Sequence, residues 1–423
     1  MDLEIAHFNL LNENAATTAT EFTSPVKEEY KRKLAENLLH EVQSPKSPKI
    51  LAFNRRPTSP LTGEIEQSLH EYAALNDINS SPSYRHISST PERILDAPDL
   101  KDDYYLNLID WSCQNILAVA LGTNLYLWNA ETGMTSRLMS TDDEDNYITS
   151  VAWARNGKDI AVGLKNAEVQ LWDSDKKFQV RKMTGHSARV GSLAWNGQIL
   201  TTGGRDSRII NHDVRAGDDR TSHLIGHRQE VCGLKWSPSG HHLASGGNDN
   251  LLHIWDGAAV SASLYSSTSR MQYLHRWNDH QAAVKALAWC PFKANLLASG
   301  GGTADCCIKF WNAQTGACVS SVDTHSQVCA LQWSIHQKEI LSSHGYSQNQ
   351  LCVWKYPSMT KIAELKGHAA RVLHLALSPD GTTVVSAAAD ETLRFWKIFC
   401  PPSYKKTSTK GDESGGFAHI NIR

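Results

Sequence analysis

From residue 104 onward the chain is a succession of short apolar runs, each closed by a ring-bearing residue and then a polar one: LYLWN, VQLWD, IINHD, LHIWD, IKFWN, CVWK and LRFWK. The closing positions are Trp128, Trp172, His212, Trp255, Trp311, Trp354 and Trp396, separated by 44, 40, 43, 56, 43 and 42 residues. Runs of this length bounded by turn residues read as strands. A period of about 40–45 residues is that of one four-stranded propeller blade. The pattern predicts an all-β fold, a seven-bladed propeller. The one long interval holds GAAVSASLYSSTSRMQYLHRW, expected to be an enlarged inter-strand loop in the fifth unit. A ring of blades needs closure, because an open blade exposes an unpaired strand edge. Glu92 to Leu100, ERILDAPDL, is the candidate to supply the outer strand of the seventh blade.

Upstream the period disappears. All 13 Trp fall at or after Trp111, and the one Gly before that position is Gly63. Residues 1–91, rich in Ser, Thr, Asn, Pro and charge, are expected to form a largely disordered regulatory tail, 92–400 the propeller, and 401–423 a short flexible tail. Two stretches of the first tail stand out. In KEEYKRKLAENLLHEV, Tyr30, Leu34 and Leu38 recur at helical spacing, which suits a short amphipathic helix formed against a partner. In SPKILAFNRRP, a compact apolar cluster from Ile50 to Phe53 is fenced by Lys49 and by Arg55-Arg56-Pro57.

Charge narrows the function classes. Forty-two Lys+Arg against 44 Asp+Glu give a net charge of -2, so nucleic acid and membrane surfaces are not expected as partners. No signal peptide and no apolar run of about 18 residues is found, which predicts a soluble intracellular protein. The nine Cys lack paired metal-ligand spacing, so they read as reduced packing thiols, with no metal and no cofactor expected.

The units share an internal geometry. His227, Ser245, Asp249 and Trp255 are separated by 18, 4 and 6 residues, and so are His368, Ser386, Asp390 and Trp396. The units resemble WD repeats, in which such a set forms a hydrogen-bonded chain within a blade. A Ser/His/Asp list also invites a hydrolase reading, but its repetition from blade to blade argues for structural networks and against an enzyme.

Six residues before each closing position lies a tight turn, at Gly122, Asn166, Asp206, Asp249, Asp305, Gln348 and Asp390. These turns share one rim, where GGNDN, GGGTAD, SQNQ and ARV place Asn248, Asn250, Thr303, Gln348 and Arg371 on one face. Amides and a guanidinium there suit a short polar peptide; ordinary solvated turn chemistry is the alternative. A second candidate is the groove between the closing blade and the first, where Asp103 and Glu391 are expected to face each other and hold an Arg followed by a Leu.

The stretches RILDAPDLKDDYYLNLIDWS, GHSARVGSLAWN, GHRQEVCGLKWSPSGHHLASGGNDN, AWCPFKANLLASGGGTAD, DTHSQVCALQWS and LSPDGTTVVSAAADETLRFW resemble the Fizzy family, more closely its cell-division-cycle-20 branch. The resemblance implies a nuclear and cytoplasmic substrate-recognition coactivator of the anaphase-promoting complex, a ubiquitin ligase. It assigns Asn248, Asn250, Thr303, Gln348 and Arg371 to a Lys-Glu-Asn degron, and Asp103 and Glu391 to the Arg of a destruction box. It makes Lys49, Ile50, Leu51, Phe53 and Pro57 a motif for a spindle-checkpoint protein that captures an added strand, and Ile422-Arg423 a ligase-docking tail. The partners implied are ligase subunits, checkpoint proteins and degron-bearing substrates such as mitotic cyclins and securin.

Two departures accompany it. The family's Asp-Arg-(Tyr/Phe)-Ile-Pro-x-Arg box does not occur in the chain, so the chain is expected to start at what is an internal Met in relatives, either shortened or having lost the box. The alternative function is then a coactivator-like protein that binds substrates or checkpoint proteins without activating the ligase. Cys306 stands where relatives commonly carry a basic residue. Six Ser/Thr-Pro pairs, at Ser24, Ser44, Ser47, Ser59, Ser81 and Thr90, are candidate sites for proline-directed kinases.

Overall fold

The computed structural model describes residues 85–216, 221–263, 273–346 and 348–401. Within them, 28 strands form seven four-stranded sheets. The first blade is β2 (Ile109–Trp111), β3 (Ile116–Leu121), β4 (Asn124–Asn129) and β5 (Thr135–Ser140), paired antiparallel in chain order. The innermost strands touch in cyclic sequence: β2, β6 (Ile148–Trp153), β10 (Val190–Asn196), β14 (Val231–Trp236), β18 (Val284–Trp289), β22 (Val328–Trp333), β26 (Val372–Leu377) and β2 again. The ring therefore closes.

Closure follows the sequence expectation. The seventh blade is β26, β27 (Thr383–Ala388) and β28 (Thr392–Lys397), with β1 (Arg93–Asp96) as its fourth strand, in a register that sets Arg93 opposite Phe395 and Asp96 opposite Thr392. Phe395 then meets Trp128 at 4.9 Å and Trp111 at 5.7 Å between ring centroids, so the seam between the last blade and the first is aromatic.

Burial runs from axis to periphery. β6 and β18 are buried at every position, because a sheet lies on each side of them, whereas the outer strands β9 (Phe178–Met183) and β21 (Cys318–Asp323) are mostly exposed. Inner strands are crowded: a Cβ on Gly233 would lie 2.5 Å from the Lys285 carbonyl of the next blade. Six of the seven inner strands carry a register shift near their start, as between Val190 and Ser192, which twists the strand where it enters the ring. Inner-strand indoles also tie neighbouring blades: Trp195 donates to the Ala152 carbonyl (3.1 Å), Trp289 to that of Lys235 (2.9 Å) and Trp333 to that of Ala288 (3.1 Å).

One placement differs from expectation. The long insertion lies between β16 (Leu252–Asp256) and β17 (His275–Trp277), inside the fourth blade, and opens with the short helix α1 (Gly257–Ser263). A unit counted from Trp to Trp ends on a blade's third strand, so it straddles two blades and shifts the insertion by one.

On blade six, Gln337 joins distant parts of the chain. Its Oε1 accepts from Arg85 Nη1 (2.8 Å) and from the Cys400 amide (3.3 Å), and Arg85 also pairs with Glu339 at 2.8 Å.

Candidate functional site

The repeated His, Ser, Asp and Trp are structural. In the fourth blade His227 Nδ1 contacts Asp249 (3.1 Å), its Nε2 contacts Ser245 Oγ (2.8 Å), and that oxygen accepts from Trp255 Nε1 (2.9 Å). The fifth and seventh blades repeat the chain through His280, Ser299, Asp305 and Trp311, and through His368, Ser386, Asp390 and Trp396. Ser245, Ser299 and Ser386 are fully buried and already saturated by Trp and His, which leaves no exposed nucleophile in these sets. The third blade substitutes Thr202 for Ser. There burial works against the Asp206 carboxylate, but hydrogen bonds from His186 and the Ser187 amide hold it down at about 2. In the sixth blade the histidine comes from the strand itself, His344 meeting Ser342 at 2.7 Å.

The rim is organised by a segment the repeat pattern does not mark. Residues 102–107, preceding β2, reach the starts of six blades, the second through the Asn107 amide, which donates to the Thr149 carbonyl (3.2 Å). Tyr104 is buried and its hydroxyl donates to the carbonyls of Ala283 (3.3 Å) and Val328 (3.2 Å), at the entrances of blades five and six. Asn107 Nδ2 donates to the carbonyls of Gly191 (2.7 Å) and Cys232 (3.1 Å). Tyr105 Oη donates to Asn248 Oδ1 (2.7 Å), while Asn248 Nδ2 donates to Gln229 (2.6 Å), so this amide is oriented at both ends. Asp103 accepts from Arg189 Nη1 (2.6 Å), while Nε and Nη2 of the same guanidinium donate to Glu230 at 2.8 and 2.9 Å. Burial disfavours that guanidinium, yet the Glu230 and Asp103 carboxylates hold its proton more firmly than usual.

The predicted rim residues follow from this frame. Asn250 sits in the β15 (His242–Gly247)–β16 turn at a φ of 63°, a left-handed position that Asn tolerates. Thr303 is exposed, and its carbonyl accepts from Cys306 Sγ (3.1 Å). Gln348 is exposed in the turn before β24 (Leu351–Lys355), and Arg371 stands just before β26, bonded to Asp102. Asp305, next to Cys306, is held below the usual carboxylate range: burial raises it, but His280 and the Gln281 amide outweigh that.

The expected pairing of Asp103 with Glu391 is corrected. Asp103 belongs to the rim with Arg189, because the chain turns inward after the buried Leu100. Glu391 does lie at the seam: its Oε1 accepts from the Asp99 amide (3.3 Å), its carbonyl accepts from the Ala97 amide (2.7 Å), and the Asp99 carbonyl accepts from the Gly122 amide of blade one (3.2 Å). The carboxylates that accompany Glu391 are Asp99 and Asp96, both exposed, the latter in register with Thr392. Ala97, Leu100, Trp128, Leu393 and Phe395 form the apolar cluster beneath them.

Beneath Tyr104 lies a further group that the sequence reading passed over. Lys285 on blade five is 5% exposed, and its Nζ donates to the Leu373 carbonyl (2.9 Å) and approaches His374 Nδ1 (3.5 Å) on blade seven. Those blades are separated by the sixth, so the side chain reaches past it inside the ring. Burial lowers its pKa to about 8.

The checkpoint motif Lys49, Ile50, Leu51, Phe53 and Pro57, the tail Ile422-Arg423, the expected helix around Tyr30 and the Ser-Pro pairs lie outside the described residues. Thr90 lies within them and is exposed.

Fold and site define a seven-bladed WD-repeat propeller with a polar rim and an acidic seam. A model described as the CDC20/Fizzy WD40 domain matches residues 95–396, and the chain belongs to that family. It is 53% identical to "Cell division cycle 20.1, cofactor of APC complex" of Arabidopsis thaliana over 100% of this chain and 90% of the relative. It is 48% identical to "Anaphase-promoting complex subunit cdc20" of Dictyostelium discoideum, over 98% and 87%. Among solved structures, a chain of "Crystal Structure of Mitotic Checkpoint Complex" superposes with a TM-score of 0.70 at 44% identity, covering 84% of this chain and 100% of that one.

Proposed function

We propose that this protein is a non-enzymatic coactivator of the anaphase-promoting complex, which presents substrates to the ligase while ubiquitin transfer occurs on other subunits. The rim of Asn248, Asn250, Thr303, Gln348 and Arg371 receives Lys-Glu-Asn degrons, and the seam at Glu391, with Asp96 and Asp99, receives the Arg of an Arg-x-x-Leu destruction box. Mitotic cyclins and securin are the expected kind of substrate. Ile422-Arg423 docks on the ligase, and the Lys49–Pro57 motif engages checkpoint proteins, in nucleus and cytoplasm.

The observation that carries this reading is the rim's donor set. An amide fixed at both ends by Tyr105 and Gln229 and a guanidinium at Arg371 offer a polar peptide directional neutral donors together with one cation. Relatives named as a cofactor and as a subunit of the complex, matched over 90% and 87% of their length, support the same assignment.

The test is binding of labelled degron peptides to the full chain. Asn250→Ala and Arg371→Ala are expected to weaken the Lys-Glu-Asn peptide at least ten-fold, and Glu391→Ala the Arg-x-x-Leu peptide. Absence of binding by either peptide would defeat the reading. A reconstituted ubiquitination assay then separates a coactivator from a protein that binds substrates without activating the ligase.

A further inference from the structure

Two of the guanidinium groups on the rim, Arg189 and Arg371, are paired with carboxylates, and they are held differently. Arg189 is gripped by two carboxylates, Asp103 and Glu230, and its side chain is 11% exposed. Among the described residues Arg371 has its side-chain bonds to Asp102: its Nε donates to Asp102 Oδ1 at 2.5 Å and its Nη2 to the Asp102 main-chain oxygen at 3.2 Å. Asp102 is 48% exposed. A carboxylate so placed leaves the pair at little cost, since water takes it back readily.

We propose that Asp102 is an internal ligand of Arg371, one that an acidic side chain of a bound peptide displaces, which makes it a specificity-determining residue of the rim. The inference rests on the reading of the rim as a peptide site. Both carboxylates compete for the same edge of the guanidinium, so the affinity gained from a peptide Glu is the difference between two similar ion pairs. A peptide Gln leaves the Asp102 pair in place and gains little there. Asp102 thus blunts the discrimination between Glu and Gln at this position. The main-chain bond to Nη2 does not depend on the carboxylate, so it keeps Arg371 aimed at the rim when the carboxylate swings away.

An exposed pair of this kind is worth up to roughly 1 kcal/mol, which corresponds to about five-fold in affinity. The experiment compares labelled peptides carrying Lys-Glu-Asn and Lys-Gln-Asn, bound to the full chain and to its Asp102→Asn and Asp102→Ser variants. The preference for the Glu peptide over the Gln peptide is expected to rise about two- to five-fold in both variants at low salt, and the gain to shrink as salt screens the competing charges. An unchanged or smaller preference, with the Glu peptide still bound by the unmodified chain, overturns the role of Asp102 and leaves the rim reading standing. If the unmodified chain binds neither peptide, the rim reading fails and the inference with it.

Discussion

The Asp103 carboxylate lies 2.6 Å from the Arg189 guanidinium, which joins the segment before the first blade to the entrance of the third. This pair assigns Asp103 to the rim and leaves Glu391 at the seam with other acidic neighbours.

The two sites are therefore expected to respond separately. Asp103→Asn removes one of the two anions holding Arg189 and should weaken a rim peptide by about 1 kcal/mol, roughly five-fold, while Arg-x-x-Leu binding stays unchanged. Glu391→Gln should do the reverse. Equal losses at both sites for either variant, read by peptide titration, would show that the sites are one.

Tyr105→Phe tests the orientation of the rim amide. The variant keeps the ring but removes the hydroxyl that donates to Asn248 Oδ1, so the amide is fixed at one end only. Affinity for the Lys-Glu-Asn peptide should fall by about three- to ten-fold, with the melting temperature nearly unchanged.

Lys285 should cost stability. A buried ammonium that contacts a carbonyl, an imidazole and the face of Tyr104, with Asp103 acting on it only through space and not through a bond, is not fully compensated, so Lys285→Met, which retains the apolar stem, is expected to be neutral or to stabilise the ring by about 1–3 kcal/mol in urea titrations. The pH dependence has a defined sign. With its folded pKa lowered to about 8 from an ordinary 10.5, Lys285 binds fewer protons folded than unfolded between those values, so its penalty is complete below pH 8 and stability rises with pH above it. Cys232, Cys329 and Tyr104, raised by burial, pull the other way above their own ordinary values. The measurement is accordingly the difference between the native chain and Lys285→Met, which retains all three, and that difference should shrink from pH 8 upward.

Ser245→Ala removes one oxygen from a chain of four side chains. It leaves the fully buried Trp255 indole and His227 Nε2 without that partner, at a cost of about 2–4 kcal/mol. Chemical denaturation should show this loss, whereas labelling by serine-reactive probes should be absent before and after the change.

What the chain discloses in advance depends on whether a feature recurs. The strand runs and turn positions repeat in all seven units and the His–Ser–Asp–Trp set in the fourth, fifth and seventh blades, so the copies reinforce one another, and β1 is marked by the need for a partner to β28. Residues 102–107 cross the rim once. No period announces them, and whether Asp103 stays at the seam or turns inward is decided by the burial of Leu100 and Tyr104, which becomes visible only when the ring is assembled. The inner-strand indoles of Trp195, Trp289 and Trp333 do recur, but their partners lie in the preceding blade, a relation that spacing within a unit does not express. Nothing in the repeat marks Lys285; on an inner strand both faces are covered, and its ammonium reaches the Leu373 carbonyl two blades along, a relation visible only in the assembled ring.

The meeting of Arg85 and Cys400 at Gln337 makes the order of the blades along the chain a matter of convention. Two segments that share one side chain can be joined by a short linker, and the ring can be reopened in the exposed connection Asp142–Asp145 between β5 and β6 without cutting a strand. Such a circular permutant, still laced through the pairing of β1 with β28, should fold and keep both peptide sites.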